Sequence, residues 1–449
     1  MRISIVGAGY VGLVAAVCFA NRGFRVLIST NDPKKISMIN EAKAPFFEPE
    51  LDELLRKAVK RGTLRATKTR TEAILNSDVT FVCVGTPSSK DGSIDLSFIY
   101  SAAEEVGRSL RKKGYHIVVL RSTVVPGTTD EVRNIIERLS GKKAGKGFGI
   151  CMCPEFLRQG QAVYDTFNPD RVVIGEHDKK AGNVLEKLFR KFYGRKKVPI
   201  LRMNTVSAEM VKYVSNSILA TKVSFINEIA NTCEKLKDVD VYEVARGVGL
   251  DRRVGPLFLE AGPGFGGSCF PKDVNAILSF SKELGYEPKI LETVLKVNEE
   301  QALHVVDLAR RSLGGLGGKR IAVLGLSFKP NTDDMREAPS VRIIKKLLAE
   351  GASVVAYDPV AVNNAKKILK DTIGYAGSTA DCLAGADCCI VVTEWDEFKR
   401  VKLGVLKRMK GRSIVDARRI WNPKIIQKAG FEYLGIGLGG MKSDSSQTI

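Results

Sequence analysis

The chain has only three histidines, His116, His177 and His304, in 449 residues, and none lies in a recognisable motif. Histidine acid–base catalysis is therefore not expected. Aromatic residues make up 7%, and the basic residues, which outnumber the acidic ones 70 to 50, come in short runs such as Arg195-Lys196-Lys197. Nucleic-acid surfaces cluster basic residues and interleave aromatics. The net charge of +20 reads instead as a solvated basic surface around a site for an acidic small molecule. There is no CxxC pair, and nine thinly spread cysteines fit neither a zinc or iron–sulfur site nor a secreted disulfide scaffold. No metal is expected. No apolar run approaches the ~20 residues of a membrane span. Residues 4–20, SIVGAGYVGLVAAVCFA, carry no charge and imitate the core of a signal peptide, but their glycine spacing fits a buried strand entering a helix. A cytoplasmic protein is expected. Glutamine is confined to Gln159, Gln161, Gln301, Gln427 and Gln447, a scarcity that fits a thermophilic source, although nine cysteines fit it less well.

What is present is an ordinary globular composition, 44% hydrophobic and 27% charged, long enough for about three domains. Residues 3–6 read as a buried strand, followed by Gly7-Ala8-Gly9-Tyr10-Val11-Gly12 and an apolar helix to about Asn21. This is the GxGxxG dinucleotide fingerprint in its strand–turn–helix setting. Gly7 permits the turn, Gly9 admits the pyrophosphate, Gly12 lets helix and strand pack, and the helix N-terminus faces the phosphates. Further strands at 24–29, 79–85 and 116–124 alternate with helices at 47–61 and 97–113, the pattern of a doubly wound parallel sheet. Thr86 follows one of these strands and Thr123 lies at the carboxyl end of another, on the side where such sheets bind ligands.

From Asn204 the pattern becomes helical, over 205–236 and 273–310, a stretch suited to dimerisation. After the linker Gly314–Gly318 a second α/β pattern begins, with strands in 320–330, 352–359, 388–395 and 413–420; its first loop lacks GxGxxG and carries Lys329. The expected organisation is an N-terminal dinucleotide-binding Rossmann domain (1–200), a central helical region (201–312), a C-terminal Rossmann-like domain (318–438) and a disordered tail (439–449). The fold class is α/β, two doubly wound sheets joined by helices.

Between the helical stretches stands GPGFGGSCFPKD (262–273), four glycines in six positions and then Cys269, Lys272 and Asp273. Glycine lets the backbone approach a bulky partner, and neighbouring cations favour thiolate, the nucleophilic form of cysteine. On their own these residues also fit a surface turn with an inert thiol. Glu209-Met-Val-Lys212-Tyr-Val-Ser-Asn216 sets Lys212 and Asn216 one helical turn apart. Pro154-Glu155-Phe156-Leu157-Arg158-Gln159 follows a strand-like stretch.

GAGYVG, CPEFL, EMVKYVSN, GFGGSCFPKD and LGLSFKPNTDDMREAPS occur in this order over nearly the whole chain. Together they resemble the UDP-glucose/GDP-mannose dehydrogenase family. The resemblance implies oxidation of a sugar nucleotide's primary alcohol to a carboxylate in two NAD-dependent hydride transfers, with UDP-glucose preferred to GDP-mannose or a UDP-N-acetylhexosamine. It implies that Cys269 captures the aldehyde as a thiohemiacetal and carries a thioester, that Lys212 and Asn216 stabilise oxygen charge, and that Asp273 with Thr123 positions a water. Gly7, Gly9, Tyr10, Val11, Gly12, Thr30, Lys35, Thr86, Thr123 and Arg336 take cofactor roles. Glu155, Phe156, Leu157, Lys212, Asn216, Phe265, Gly266, Lys329 and Arg418 take substrate roles, and Arg253 is donated across a homodimer interface.

Two residues depart from the family pattern. Thr30 stands where an acid usually binds the adenosine ribose, which leaves NADP open; NAD is favoured because no arginine is there to hold a 2′-phosphate. Gln159 replaces a second acid, so thioester hydrolysis falls to Glu155 or to water held by Asp273. The rival readings are a one-step β-hydroxyacid-type dehydrogenase and a non-enzymatic nucleotide- or nucleic-acid-binding regulator.

Overall fold

The structure, a computed structural model, describes residues 1–89 and 91–440. The chain forms two compact units. The first comprises Met1–Ser215 with Asn275–Leu284, and the second Asn216–Val274 with the chain from Gly285 onward.

The first unit is built on β1 (Arg2–Val6), β2 (Arg25–Ser29), β3 (Leu64–Thr67), β4 (Val79–Val82), β5 (Ile117–Leu120), β6 (Gly149–Met152), β7 (Val172–Glu176) and β8 (Ile200–Met203), in the spatial order β3-β2-β1-β4-β5-β6-β7-β8. Neighbours run parallel except β6 against β7. β4, β5 and β6 are buried at every residue, which is why they read as unbroken apolar runs. The order reverses between β1 and β4, so the crevice beyond their carboxyl ends is flanked by Gly7–Gly12 and by Cys83–Pro87.

One buried polar chain lies within this sheet. His116 Nε2 is 2.7 Å from Thr80 Oγ1, which is 2.7 Å from Ser4 Oγ, and Ser4 Oγ accepts from Ser77 Oγ at 2.8 Å. Burial, reinforced by the charge of Lys113, pushes the His116 pKa down to about 3. An unfolded histidine titrates near ~6.5, so this contribution to stability is complete above that pH and drains as pH falls towards the folded value. The loss is on the order of 4 kcal/mol. Acid-unfolding profiles of the protein and of His116→Asn check this: the variant should take up about one proton fewer on unfolding between pH 6 and 4, and equal slopes would refute it.

The second unit's sheet has β9 (Arg320–Leu324), β10 (Ser353–Tyr357), β11 (Gly374–Tyr375), β12 (Cys388–Val391), β13 (Ser413–Asp416) and β14 (Glu432–Gly435), ordered β11-β10-β9-β12-β13-β14. Its pairings are all parallel, and the order repeats that of the first six strands. The two doubly wound sheets expected from the sequence are present. Between the two sheets in sequence run the helices Thr205–Cys233, Val241–Gly249, Phe270–Glu283 and Lys289–Leu313. The single helical run expected over 273–310 is thus interrupted. Gly285 has φ +78° and Pro288 precedes the next helix, a left-handed C-terminal glycine followed by a residue that cannot donate to a helical ladder. Of the tail expected to be disordered over 439–449, residues 441–449 lie outside the described residues. Gly439 donates its amide to Val239 O at 2.8 Å.

Candidate active site

In the first unit β1 feeds a tight turn into the helix Tyr10–Asn21. Gly7 has φ +109°, and a Cβ there would sit 2.5 Å from Cys83 O; a Cβ on Gly12 would sit 2.0 Å from Gly7 O. These two glycines let the chain pack on itself. Gly9 differs: it is exposed, a Cβ there meets nothing within 4 Å, and as N-cap it offers no side chain to the helix's first amides. Open space beside uncapped N–H groups is what a pyrophosphate requires, so these residues fit a dinucleotide. Tyr10, Val11, Thr86 and Thr123 are partly exposed around the same strand ends. At the end of β2 the Thr30 hydroxyl accepts from Asp32 N at 3.3 Å. Asp32 is committed to capping the next helix, accepting from Lys34 N at 3.0 Å and Lys35 N at 3.3 Å. Both bonds fall on Asp32 Oδ1.

The segment after β6 carries Glu155, buried to 6% exposure. One carboxylate oxygen lies 3.2 Å from Lys212 Nζ and the other accepts from Leu157 N at 2.6 Å. Burial alone would raise the Glu155 pKa, but the Lys212 charge, the Leu157 amide and the nearby Arg121 guanidinium outweigh it and hold the group below the ordinary carboxylate range. Phe156 lies under Arg171, whose guanidinium carbon is 3.9 Å from the ring centroid, with Lys212 Nζ at 5.6 Å. Two charged residues outside the sequence motifs, Arg121 and Glu48, and one within them, Glu209, complete this region. Arg121 donates to Cys153 O and Pro154 O at 3.2 and 3.3 Å, anchoring the backbone just ahead of Glu155. Glu209, one turn before Lys212, accepts from Gly127 N and Thr129 N at 2.7 Å each, tying that helix to the loop of Thr123. Glu48 accepts from Gly160 N and Ala162 N at 2.7 Å each and from the Tyr10 hydroxyl, fastening the far end of the Glu155 segment to the start of the fingerprint helix.

In the second unit residues 261–267 are buried, and Ser268, Cys269 and Phe270 are partly so. The glycines here face protein. A Cβ on Gly264 would be 2.8 Å from Asn298 Oδ1, on Gly266 2.4 Å from Glu337 O, and on Gly267 2.7 Å from the Phe328 ring. Close approach thus occurs here to the chain itself. Cys269 directly precedes the helix Phe270–Glu283, whose positive end favours an anion beside it. Its carbonyl accepts from Asp273 N at 2.8 Å, and Ser268 Oγ lies 3.7 Å from its sulfur. Asp273, 1% exposed, receives Asn216 Nδ2 at 2.5 Å and Lys272 Nζ at 2.5 Å on its two oxygens.

Arg336, Phe328 beside Lys329, and Arg418 abut the Cys269 loop. Arg336 forms a two-pronged pair with Asp334, and its carbonyl accepts from Gly267 N at 2.9 Å. Lys329 reaches over Phe328, and Arg418 donates to Val392 O at 2.8 Å and pairs with Glu394 at 3.0 Å. Arg253 is 89% exposed and pairs with Asp251, two residues away in sequence.

Comparison with known proteins agrees with this layout. The chain matches, in order, the three models of the UDP-glucose/GDP-mannose dehydrogenase family: the NAD binding domain over residues 1–193, the central domain over 206–300 and the UDP binding domain over 322–423. It is 44% identical over 436 residues to the UDP-glucose 6-dehydrogenase AglM of Haloferax volcanii, covering 96% of this chain and 99% of that one. It is 42% identical over 437 residues to the UDP-glucose 6-dehydrogenase TuaD of Bacillus subtilis, covering 97% and 93%. Among solved structures, a UDP-glucose dehydrogenase from Pyrobaculum islandicum superposes with a TM-score of 0.89 at 40% identity, covering 97% and 98%. With a dinucleotide fingerprint at one end and all three domains matched in sequence order, the chain belongs to the UDP-glucose/GDP-mannose dehydrogenase family of NAD-binding oxidoreductases.

Proposed function

We propose that the chain oxidises UDP-glucose to UDP-glucuronate in two steps with Cys269 as covalent carrier. The observation that carries the reading is Cys269 at a helix N-terminus with Asp273, one turn later, held by Asn216. Gly7, Gly9, Tyr10, Val11, Gly12, Thr30, Lys35, Thr86, Thr123 and Arg336 would hold NAD, which when bound would supply the hydride acceptor for both oxidations at the sugar C6. Asp273 relays the hydroxyl proton through water as the alcohol becomes an aldehyde. Cys269 Sγ then adds to the aldehyde carbon, and the oxygen takes up a proton to give the thiohemiacetal. Loss of that proton and of the second hydride leaves a thioester. Lys212 and Asn216 offset the negative charge that builds on the oxygen at each stage. Water then adds to the thioester carbonyl, the C–S bond breaks with its electron pair on sulfur, and the acid leaves. With Gln159 unable to take a proton, Glu155, kept ionised by Lys212, is the base for this water. Phe156, Leu157, Phe265, Gly266, Lys329 and Arg418 hold the nucleotide sugar. Ile218, Phe225, Leu250, Leu257 and Ile290 expose large apolar surfaces on the second unit, between 55% and 78% of each residue, and support a homodimer to which Arg253 contributes.

Incubation with UDP-glucose and either NAD or NADP, counting reduced cofactor per sugar consumed, tests the reading. Two NADH per UDP-glucuronate are expected, with NAD preferred. A ratio near one would replace it by the one-step dehydrogenase.

A further inference from the structure

The loop leading to Cys269 is gripped by buried side-chain carboxamides. Asn227 Oδ1 accepts from Gly262 N at 2.8 Å, and Gln301 Nε2 donates to Gly262 O at 2.9 Å. Three residues on, Asn298 Oδ1 accepts from Phe265 N at 2.6 Å, and its Nδ2 donates to Phe265 O at 3.0 Å. Asn231 Nδ2 donates to Gln301 Oε1 at 2.9 Å and links the two helices that carry the clamp. Asn227, Asn298 and Gln301 are exposed by 0%, 3% and 1%.

A carboxamide is the one side chain that offers a donor and an acceptor in the geometry of a peptide group. One such group can satisfy both the N–H and the C=O of a buried loop residue, as Asn298 does at Phe265. Gly264, with φ +99°, brings the backbone against Asn298 Oδ1 at a distance that excludes any side chain. The loop is therefore held by sequence-distant groups rather than left to move. We propose that Asn298, with Gln301 and Asn227, positions Cys269 so that the aldehyde is captured before it can leave. Capture competes with escape, and a misplacement of the order of 1 Å slows an enforced reaction about a hundredfold. The clamp sets the commitment of the intermediate, not the affinity for cofactor. This inference rests on the reading of Cys269 as the nucleophile.

The test uses the full chain with NAD and UDP-glucose and adds hydroxylamine to trap free aldehyde. Asn298→Asp keeps the shape and the acceptor but loses the donor to Phe265 O. It should lower NADH per sugar from two towards one, release trappable aldehyde, slow alkylation of Cys269 by iodoacetamide about tenfold, and leave KM for NAD within about twofold. Should that variant not fold, Asn227→Ala removes a single acceptor and should shift the same ratio less. A ratio that stays at two, with activity falling only as the folded fraction falls, overturns the proposal. Cys269→Ser, run alongside, separates the two ideas. If it stalls at aldehyde while the Asn298 variant stays at two, only the clamp is wrong. If it too forms acid at two per sugar, the nucleophile reading fails first.

Discussion

Cys269→Ser should lower acid formation by about 10³-fold or more, while the first oxidation still runs and aldehyde accumulates. A serine hydroxyl is neutral and weakly nucleophilic at neutral pH without an adjacent base, so the covalent carrier is lost while the shape is kept. The melting temperature should move by no more than about 2 °C, since the site is only half-buried and the change nearly isosteric. Of the nine cysteines the other eight are buried. Iodoacetamide should therefore label Cys269 selectively, and UDP-glucose should protect it. Undiminished production of UDP-glucuronate by the variant would make the thiol structural and leave the two-step chemistry without its carrier.

Lys212→Met should act on both stability and rate. The Lys212 and Glu155 side chains are 4% and 7% exposed, so removing the cation strands a buried carboxylate, at about 3–5 kcal/mol. Losing an oxyanion-stabilising group should cost a further ~10²- to 10³-fold in kcat. The double variant Glu155→Gln/Lys212→Met distinguishes the two effects. It removes both charges and should recover most of the lost stability while remaining inactive. Recovery of activity along with stability would assign the pair a purely structural role. The folded Glu155 pKa lies below its unfolded value, so the pair stabilises the protein above pH ~4.3 and loses that contribution as pH falls through the folded value.

The parts of the molecule legible in the sequence were those in which neighbours along the chain do the work. GAGYVG reads as a turn because strand, glycines and helix are contiguous, and GFGGSCFPKD places Cys269 and Asp273 on one helical turn. The groups that fix these segments in space were not legible. Glu48 acts on residues 112 and 114 positions away, Glu209 on residues 80 and 82 away, and Asn298 on Phe265, 33 away. Glu48 and Asn298 are single polar residues in an otherwise ordinary loop and helix, and Glu209, although it opens EMVKYVSN, carries no mark of its distant partners. The short strands Leu64–Thr67 and Ile200–Met203 carry an arginine each and lack the apolar continuity that betrays β4 and β5. The glycines of the Cys269 loop were correctly taken as sites of close approach, but the identity of what approaches depends on tertiary packing.

The repeated strand order has a consequence for counting nucleotide sites. Asp358 follows β10 as Thr30 follows β2, the place where a dinucleotide fold keeps its ribose-binding acid. In the second sheet that acid is present, yet it is turned inward: it accepts from Leu326 N, Ser327 N, Ser327 Oγ, Trp395 Nε1, Val360 N and Ala361 N. In the first sheet the place is open to ligand and the acid is gone. A census by topology would credit each polypeptide with two coenzyme sites. The loop chemistry allows one, and equilibrium dialysis should return one NAD per chain.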